Sequence, residues 1–311
     1  MGTPDFAVPS LRALIQAKHN VVGVFTQPDR PAGRGQQFKS SPVKVVAEEL
    51  GLMVYQPAQV KTPESIALLR DLKPECIVVV AYGQILSKEI LELPPQGCIN
   101  VHASLLPKYR GAAPIHWAVI NGETVTGVTT MLMDEGLDTG DILLKREIPV
   151  SPESTTGEVH DLLAEAGAEL LVETLEEWQN GTVRAQPQTG PSCYAPLISR
   201  EDERLDFGKS ATGLYNQIRG LNPWPGAYTT FRGQPLKVWQ GIAPYDLPPA
   251  VNQLPGGRPG EILRILSSGV IVQTGEGLLG LAEVQPAGKK RMPARDYILG
   301  RHAQPGERFG E

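Results

Sequence analysis

The chain has 311 residues, of which 41% are hydrophobic and 20% charged, enough apolar content to bury a core and too much for wholesale disorder. It has no uninterrupted apolar run of ~18 residues, which excludes a transmembrane helix, and its opening MGTPDFAVPS lacks the basic and apolar regions of a secretory signal. The net charge of −5 argues against a nucleic-acid partner only until its distribution is read. Residues 151–206 hold 12 acidic and 3 basic side chains, leaving 26 basic and 22 acidic elsewhere, so the remainder can present basic surface.

Taken in chain order, a turn at Gly2-Thr3-Pro4-Asp5 precedes a helix over about residues 9–19. Residues 21–26 (VVGVFT), 76–82 (CIVVVAY) and 98–102 (CINVH) are short β-branched runs of the kind buried on both faces of a parallel sheet. Ser41-Pro42 and Thr62-Pro63 each start a helix, an N-cap hydroxyl followed by proline at the first helical position. Residues 125–133 and 142–150 read as two further strands, and Thr155-Thr156-Gly157-Glu158 as a capping box opening a helix that stops at Asn180-Gly181. Strands alternating with helices predict a doubly wound α/β domain over residues 1–181. A βαβ unit opens with a strand, and none precedes Gly2, so the sheet is expected to lack its first strand and the natural chain to be longer.

Past residue 181 the texture changes. Residues 182–204 are polar and proline-containing and read as a linker. Residues 205–311 then hold one short helix (210–219) and five short strands (227–231, 236–240, 261–266, 270–274 and 278–284), which predict a small β-barrel of the oligonucleotide-binding (OB) type. Residues 244–260, with 8 Pro or Gly among 17, are expected to be an irregular surface loop. The 3 cysteines are widely spaced and the 5 histidines lack metal-ligand spacing. That predicts reduced thiols in a cytoplasmic protein and no metal site.

Chemistry concentrates in Asn100-Val101-His102-Ala103-Ser104-Leu105-Leu106-Pro107. Asn100 and His102 lie two apart at the end of a predicted strand and so share a face, at the edge where open parallel sheets bind ligands. An amide beside an imidazole can stabilise a carbonyl oxygen that is gaining negative charge; the ordinary alternative is a strand end with a hydrogen-bonded structural histidine. The Asp134-Glu135-Gly136-Leu137-Asp138-Thr139-Gly140-Asp141 stretch is either a solvated hairpin turn or a loop that brings one carboxylate against the imidazole. The loop around Arg30, Gly33, Arg34, Gly35 and Lys39 has neither the third glycine of a dinucleotide fingerprint nor a phosphate-loop Lys-Ser/Thr. It suits phosphate or partner contact, or is an ordinary exposed loop. Lys289-Lys290-Arg291 forms a second basic patch beside the predicted barrel.

Together GTPDFAVPSL (2–11), VVGVFTQPDRPAGRG (21–35), SPVK (41–44), NVHASLLPKYRGAAPI (100–115), MDEGLDTGD (133–141), NPWPGA (222–227) and GKKRMPARDYILGR (288–301) resemble the methionyl-tRNA formyltransferase family, a branch of the folate-dependent formyltransferases, over nearly the whole chain. The resemblance implies a formyltransferase-type Rossmann-like sheet with a C-terminal tRNA-binding domain. It implies transfer of a formyl group from 10-formyltetrahydrofolate to the α-amino group of methionyl initiator tRNA, by a protein expected to be monomeric and free of membranes. By the same carry-over Asn100, His102 and Asp138 are catalytic, Ser104, Leu105, Leu106 and Pro107 line the folate site, and Tyr82 and Gly83 are weaker candidates for that pocket. Arg34 contacts the tRNA, with Arg30, Lys39, Lys289, Lys290 and Arg291 as further tRNA candidates. Three alternatives stay open on the sequence: a formyltransferase acting on a nucleotide-linked amino sugar, a formyl-folate hydrolase, and a non-catalytic tRNA- or folate-binding protein.

Overall fold

The computed structural model describes residues 1–32 and 37–311, which divide into two compact units. The first comprises Met1–Pro114, Val125–Pro149 and His160–Ala195, the second Ile115–Thr124, Val150–Val159 and Pro196–Glu311. Residues 182–195, linker-like in composition, thus lie within the first unit.

The first unit runs α1 (Val8–Gln16), β1 (Val24–Phe25), β2 (Arg30–Ala32), β3 (Gln37–Lys39), α2 (Pro42–Glu49), β4 (Val54–Tyr55), α3 (Pro63–Leu72), β5 (Ile77–Val79), α4 (Lys88–Leu91), β6 (Cys98–His102) and β7 (Arg110–Gly111). Along the chain there follow α5 (Pro114–Ile120), which belongs to the second unit from Ile115 on, then β8 (Val125–Leu132), β9 (Ile142–Pro149), α6 (Thr156–Asn180), which lies in the first unit from His160 on, and β10 (Tyr194–Ala195). The cap signals act as the sequence implies: Ser41 accepts from Lys44 N and Thr62 from Ser65 N, each ahead of its proline. Thr155 and Glu158 close a reciprocal box, Glu158 N donating to Thr155 Oγ1 at 3.3 Å and Thr155 N to Glu158 Oε2 at 2.7 Å.

The expectation of a mostly parallel sheet is corrected to a mixed one. β1 pairs with β4 and β5 with β6 in parallel, but β6–β8 and β8–β9 are antiparallel. For β8 and β9 the physical reason is connection length: the short 133–141 loop suits an antiparallel neighbour, whereas a parallel return needs a crossover of about a dozen residues or more. Residues 1 and 2 bridge the two sets of strands. Gly2 N donates to Phe25 O (3.0 Å), Val80 N to Met1 O (2.9 Å), and Gly2 forms a parallel bridge with Val80. β8 is buried along nearly its whole length, and the side chains it turns inward meet the candidate site.

The second unit holds α7 (Ala211–Gly220), β11 (Ala227–Phe231), β12 (Gln234–Ile242), β13 (Ile262–Ile265), β14 (Val270–Gln273), β15 (Leu278–Pro286), β16 (Met292–Pro293) and α8 (Ala294–Gly300). The strands form one antiparallel sheet in the order β11-β12-β15-β14-β13, with β16 on β15. The last residues tie its two edges together, since Phe309 bridges to Phe231 on β11 and Arg308 to Glu261 beside β13. Leu214 and Ile218 of α7 pack with Phe231, Val238, Leu281 and Ile298 in the core, each fully buried side chain being worth about 1.5–3 kcal/mol.

Two expectations change here. Residues 244–260 are more than an irregular surface loop: two 3-10 turns (Pro244–Asp246 and Pro249–Gln253) seat Leu247 and Val251 against Ile271. The basic 288–301 segment also contains a helix, α8, whose Ala294, Tyr297 and Ile298 repeat at i, i+3 and i+4 and are buried.

Candidate active site

β6 carries the first two groups. Its pleat places Asn100 and His102 on one face. The His102 ring is 6% exposed, and its Nε2 lies 2.9 Å from Tyr109 O. A carbonyl oxygen only accepts, so Nε2 carries a proton and the bond fixes the ring's orientation. The other edge, Nδ1, faces Asp138 Oδ2 at 3.7 Å, too long for a direct hydrogen bond but close enough for charge attraction. The Asn100 carboxamide makes no hydrogen bond to another described residue.

The acidic loop resolves into separate roles. Asp134 accepts from Gly136 N (3.0 Å) and from Thr139 Oγ1 with both carboxylate oxygens (2.8 and 2.9 Å), closing a local turn. Glu135 pairs at the surface with Lys88. Asp138 is the carboxylate turned to the imidazole. It adopts φ +52° and accepts from Gly111 N at 2.8 Å. Gly111 itself sits at φ +115°, where a Cβ would stand 2.5 Å from the Tyr194 ring and 2.8 Å from Ala195 O. Only glycine fits that approach.

The 104–107 segment is pinned from β8 and β9. Thr129, fully buried, donates to Ser104 O (2.7 Å) and accepts from Leu106 N (3.1 Å). Ser104 Oγ donates to Lys108 O at 2.6 Å, and Lys145 Nζ donates to Leu106 O. Thr129→Val keeps the shape but leaves Ser104 O and Leu106 N unpaired, so it is expected to destabilise the protein by about 2–4 kcal/mol. Chemical denaturation with an unchanged m-value checks this. The sequence carries no local sign of Thr129 or Lys145, because both act across the sheet ladder.

Arg30 and Lys39 line a cleft of about 380 Å³ together with Thr3, Gln27, Tyr82 and Gly83. Tyr82 contributes backbone: its carbonyl accepts from Thr3 Oγ1 (2.9 Å) and Gln27 Nε2 (3.2 Å). Its side chain is buried in the core around Phe25 and Ile90, and burial pushes its phenol up to about 12. The base of the hairpin formed by β2 and β3 is fastened by Asp29. That carboxylate takes Lys44 Nζ at 2.7 Å and Gln56 Nε2 at 2.8 Å, and these partners hold it below the usual carboxylate range. Arg34 lies outside the described residues.

In the second unit Lys289, Lys290 and Arg291 are exposed. The Arg291 guanidinium lies 3.7 Å from the Trp239 ring centroid and 3.8 Å from Glu283, with Lys237 Nζ 5.0 Å from the same ring. Arg291 thus covers the buried Trp239 ring, and Lys237, two residues before Trp239 on β12, lies beside the patch with its Nζ donating to Pro225 O. Sequence reasoning missed them because β12 and the 289–291 segment meet only through sheet pairing.

Cys193 is exposed and its Sγ accepts from Tyr109 N at 3.1 Å, whereas burial pushes the thiols of Cys76 and Cys98 up to about 12. A thiol reagent at pH 8 is therefore expected to label one cysteine of the native chain, Cys193, and all three only after denaturation. Peptide mapping of the labelled protein checks this. Among the described residues no group of three or more His, Cys, Asp or Glu side chains is placed to hold a metal ion, and no helix is long and apolar enough to cross a membrane.

The Formyl transferase profile matches residues 1–175, and the profile for the formyl transferase C-terminal domain matches residues 197–302. The fold resembles an N-formyltransferase from Helicobacter canadensis, solved with folinic acid and dTDP-3-aminofucose, at a TM-score of 0.65 and 19% identity over 92% of this chain and 97% of that one. It also resembles HypX from Aquifex aeolicus, solved with tetrahydrofolic acid, at 0.59 and 19% over 89% of this chain; the chain spans 47% of that longer protein. The chain belongs to the formyl transferase family. Within it, a methionyl-tRNA formyltransferase from Heliobacterium modesticaldum is 53% identical over 312 residues, covering 100% of this chain and 98% of that protein. Another from Citrifermentans bemidjiense is 50% identical over 313 residues, covering 100% and 95%.

Proposed function

We propose that the chain transfers the formyl group of 10-formyltetrahydrofolate to the α-amino group of methionyl initiator tRNA, supplying formylmethionyl-tRNA for translation initiation. The observation that carries this is the 53% identity, over the whole chain, to a protein named methionyl-tRNA formyltransferase. In this reading residues 1–181 carry the catalytic domain and 205–311 form an OB-like domain that holds tRNA, with 182–204 between them in sequence. The edge-joining bridges of Phe309 and Arg308 support a barrel. In this reading the protein works as a single chain in the cytoplasm.

The chemistry follows from the face shared by Asn100 and His102. The attacking α-amine, with a free pKa of about 8, is substantially neutral near pH 7.5. Its nitrogen bonds to the formyl carbon while the carbonyl oxygen takes negative charge. Asn100 N–H groups and the Nδ1 edge of His102 are the donors offered to that oxygen, Nε2 being committed to Tyr109 O. Asp138, 3.7 Å from Nδ1, offsets a positive charge on the ring. The bond to the folate N10 then breaks, and the proton lost by the amine ends on that nitrogen, with Asp138 and His102 as the nearest relays. Ser104, Leu105, Leu106 and Pro107 hold the folate, joined by Gly83 and the Tyr82 backbone. Arg30, Arg34 and Lys39 take the acceptor end of the tRNA, and Lys289, Lys290 and Arg291 its phosphates.

Offering the chain 10-formyltetrahydrofolate with either methionyl initiator tRNA or a nucleotide-linked amino sugar tests the assignment. Formylated aminoacyl-tRNA without formylated sugar is expected. The reverse pattern would overturn it.

A further inference from the structure

The position of Asp138 depends on a side chain from a segment with no regular pattern in the sequence. Gln188 stands 50 residues further along the chain. Its Nε2 donates to Asp138 O at 2.8 Å and to Gly140 O at 2.9 Å, while its Oε1 accepts from Arg110 Nε at 3.1 Å and Arg110 Nη2 at 2.7 Å. A carboxamide has two N–H donors and two acceptor lone pairs, and Gln188 spends all of them on β7 and the 138–140 loop. Those are the same two segments that the bond from Gly111 N to Asp138 Oδ2 joins.

The residues just beyond Gln188 hold the other side of the site. β10 pairs in parallel with β7, Arg110 N donates to Cys193 O and Ala112 N to Ala195 O (both 2.9 Å), and Tyr109 N donates to Cys193 Sγ. Tyr109 O is the acceptor that orients His102. Asp138, a non-glycine residue at φ +52°, holds a backbone conformation that L-residues disfavour, so its loop relaxes unless something ties it.

We propose that Gln188 is a positioning residue for formyl transfer, its carboxamide tying β7 to the 138–140 loop so that the Asp138 carboxylate stays opposite His102. The proposal rests on the roles given to Asp138 and His102 above. Replacing Gln188 removes no group that meets a substrate. It removes the tie that sets a distance.

The test uses the full chain with Gln188→Leu and Gln188→Glu, the latter keeping a partner for Arg110 but turning a carboxylate on two carbonyl oxygens. Both are expected to lower kcat on the order of 10- to 100-fold, with the KM values for folate and tRNA nearly unchanged and a fall in Tm, from the unpaired Asp138 and Gly140 carbonyls, that leaves the protein folded at the assay temperature. In an Asp138→Asn background the leucine variant is expected to add no further loss, since both changes act through one carboxylate. A measurement independent of turnover accompanies these. Hydrogen exchange of the Gly111 amide, whose acceptor is Asp138, should speed up by about tenfold or more in Gln188→Leu while β6 amides keep their wild-type rates. Unchanged Gly111 exchange, an unchanged kcat, a raised KM with kcat intact, or a loss that multiplies with Asp138→Asn would each overturn the proposal. Should Gln188→Leu not fold, Gln188→Glu decides on the same readouts. If the wild-type chain forms no formylated tRNA, the functional reading falls, and Gly111 exchange still decides whether Gln188 ties the loop.

Discussion

Asp138→Asn is expected to lower kcat for formyl transfer by about a thousandfold, the span of a positioned acid–base group, and to leave tRNA affinity close to the wild-type value. The substitution is nearly isosteric. Its amide oxygen still accepts from Gly111 N, which Asp138 Oδ2 does at 2.8 Å, so the loop is retained. What is lost is the negative charge 3.7 Å from His102 Nδ1 and with it a proton relay. Binding of tRNA rests chiefly on phosphate contacts, which in this account come from Arg30, Arg34, Lys39 and the 289–291 patch. Single-turnover rates beside equilibrium tRNA binding separate the two quantities. Parallel losses in both would show that Asp138 holds the tRNA or the fold rather than the reaction.

The second large effect is expected of Asn100→Ala, which should reduce kcat by about 100- to 1,000-fold, the cost of one oxyanion donor in a preorganised site. Asn100 is half-buried on β6, and no described residue depends on its carboxamide for a hydrogen bond, so truncation leaves no partner orphaned and Tm should barely move. Folate affinity should change far less than the rate, because the ground-state formyl oxygen carries little charge. A loss confined to KM would instead make Asn100 a binding group.

The parts of this site that were legible in the sequence are those set by local geometry. Asn100 and His102 could be paired from the two-residue period of a strand, and the caps at Ser41, Thr62 and Thr155 from short-range hydrogen bonding. Asp138 could not be told from Asp134, Glu135 and Asp141 by spacing, because what distinguishes it is the turn that Asp134 closes and the amide of Gly111. The catalytic role expected of it rests on family resemblance alone. Thr129, Lys145 and Gln188 left no sign at all. Each acts on a segment 23 to 78 residues away, and such contacts exist only once β6, β8 and β9 have paired and residues 186–195 have returned along β7. The mixed direction of the sheet was missed for a related reason: apolar runs such as VVGVFT and CIVVVAY report burial, not strand direction.

The most direct test of the account is formyl transfer by the chain and by His102→Ala, with 10-formyltetrahydrofolate, methionyl initiator tRNA and mass detection of formylmethionine. The account predicts product with the wild-type chain and its near disappearance in the variant at unchanged tRNA binding. Equal product from both proteins would contradict it.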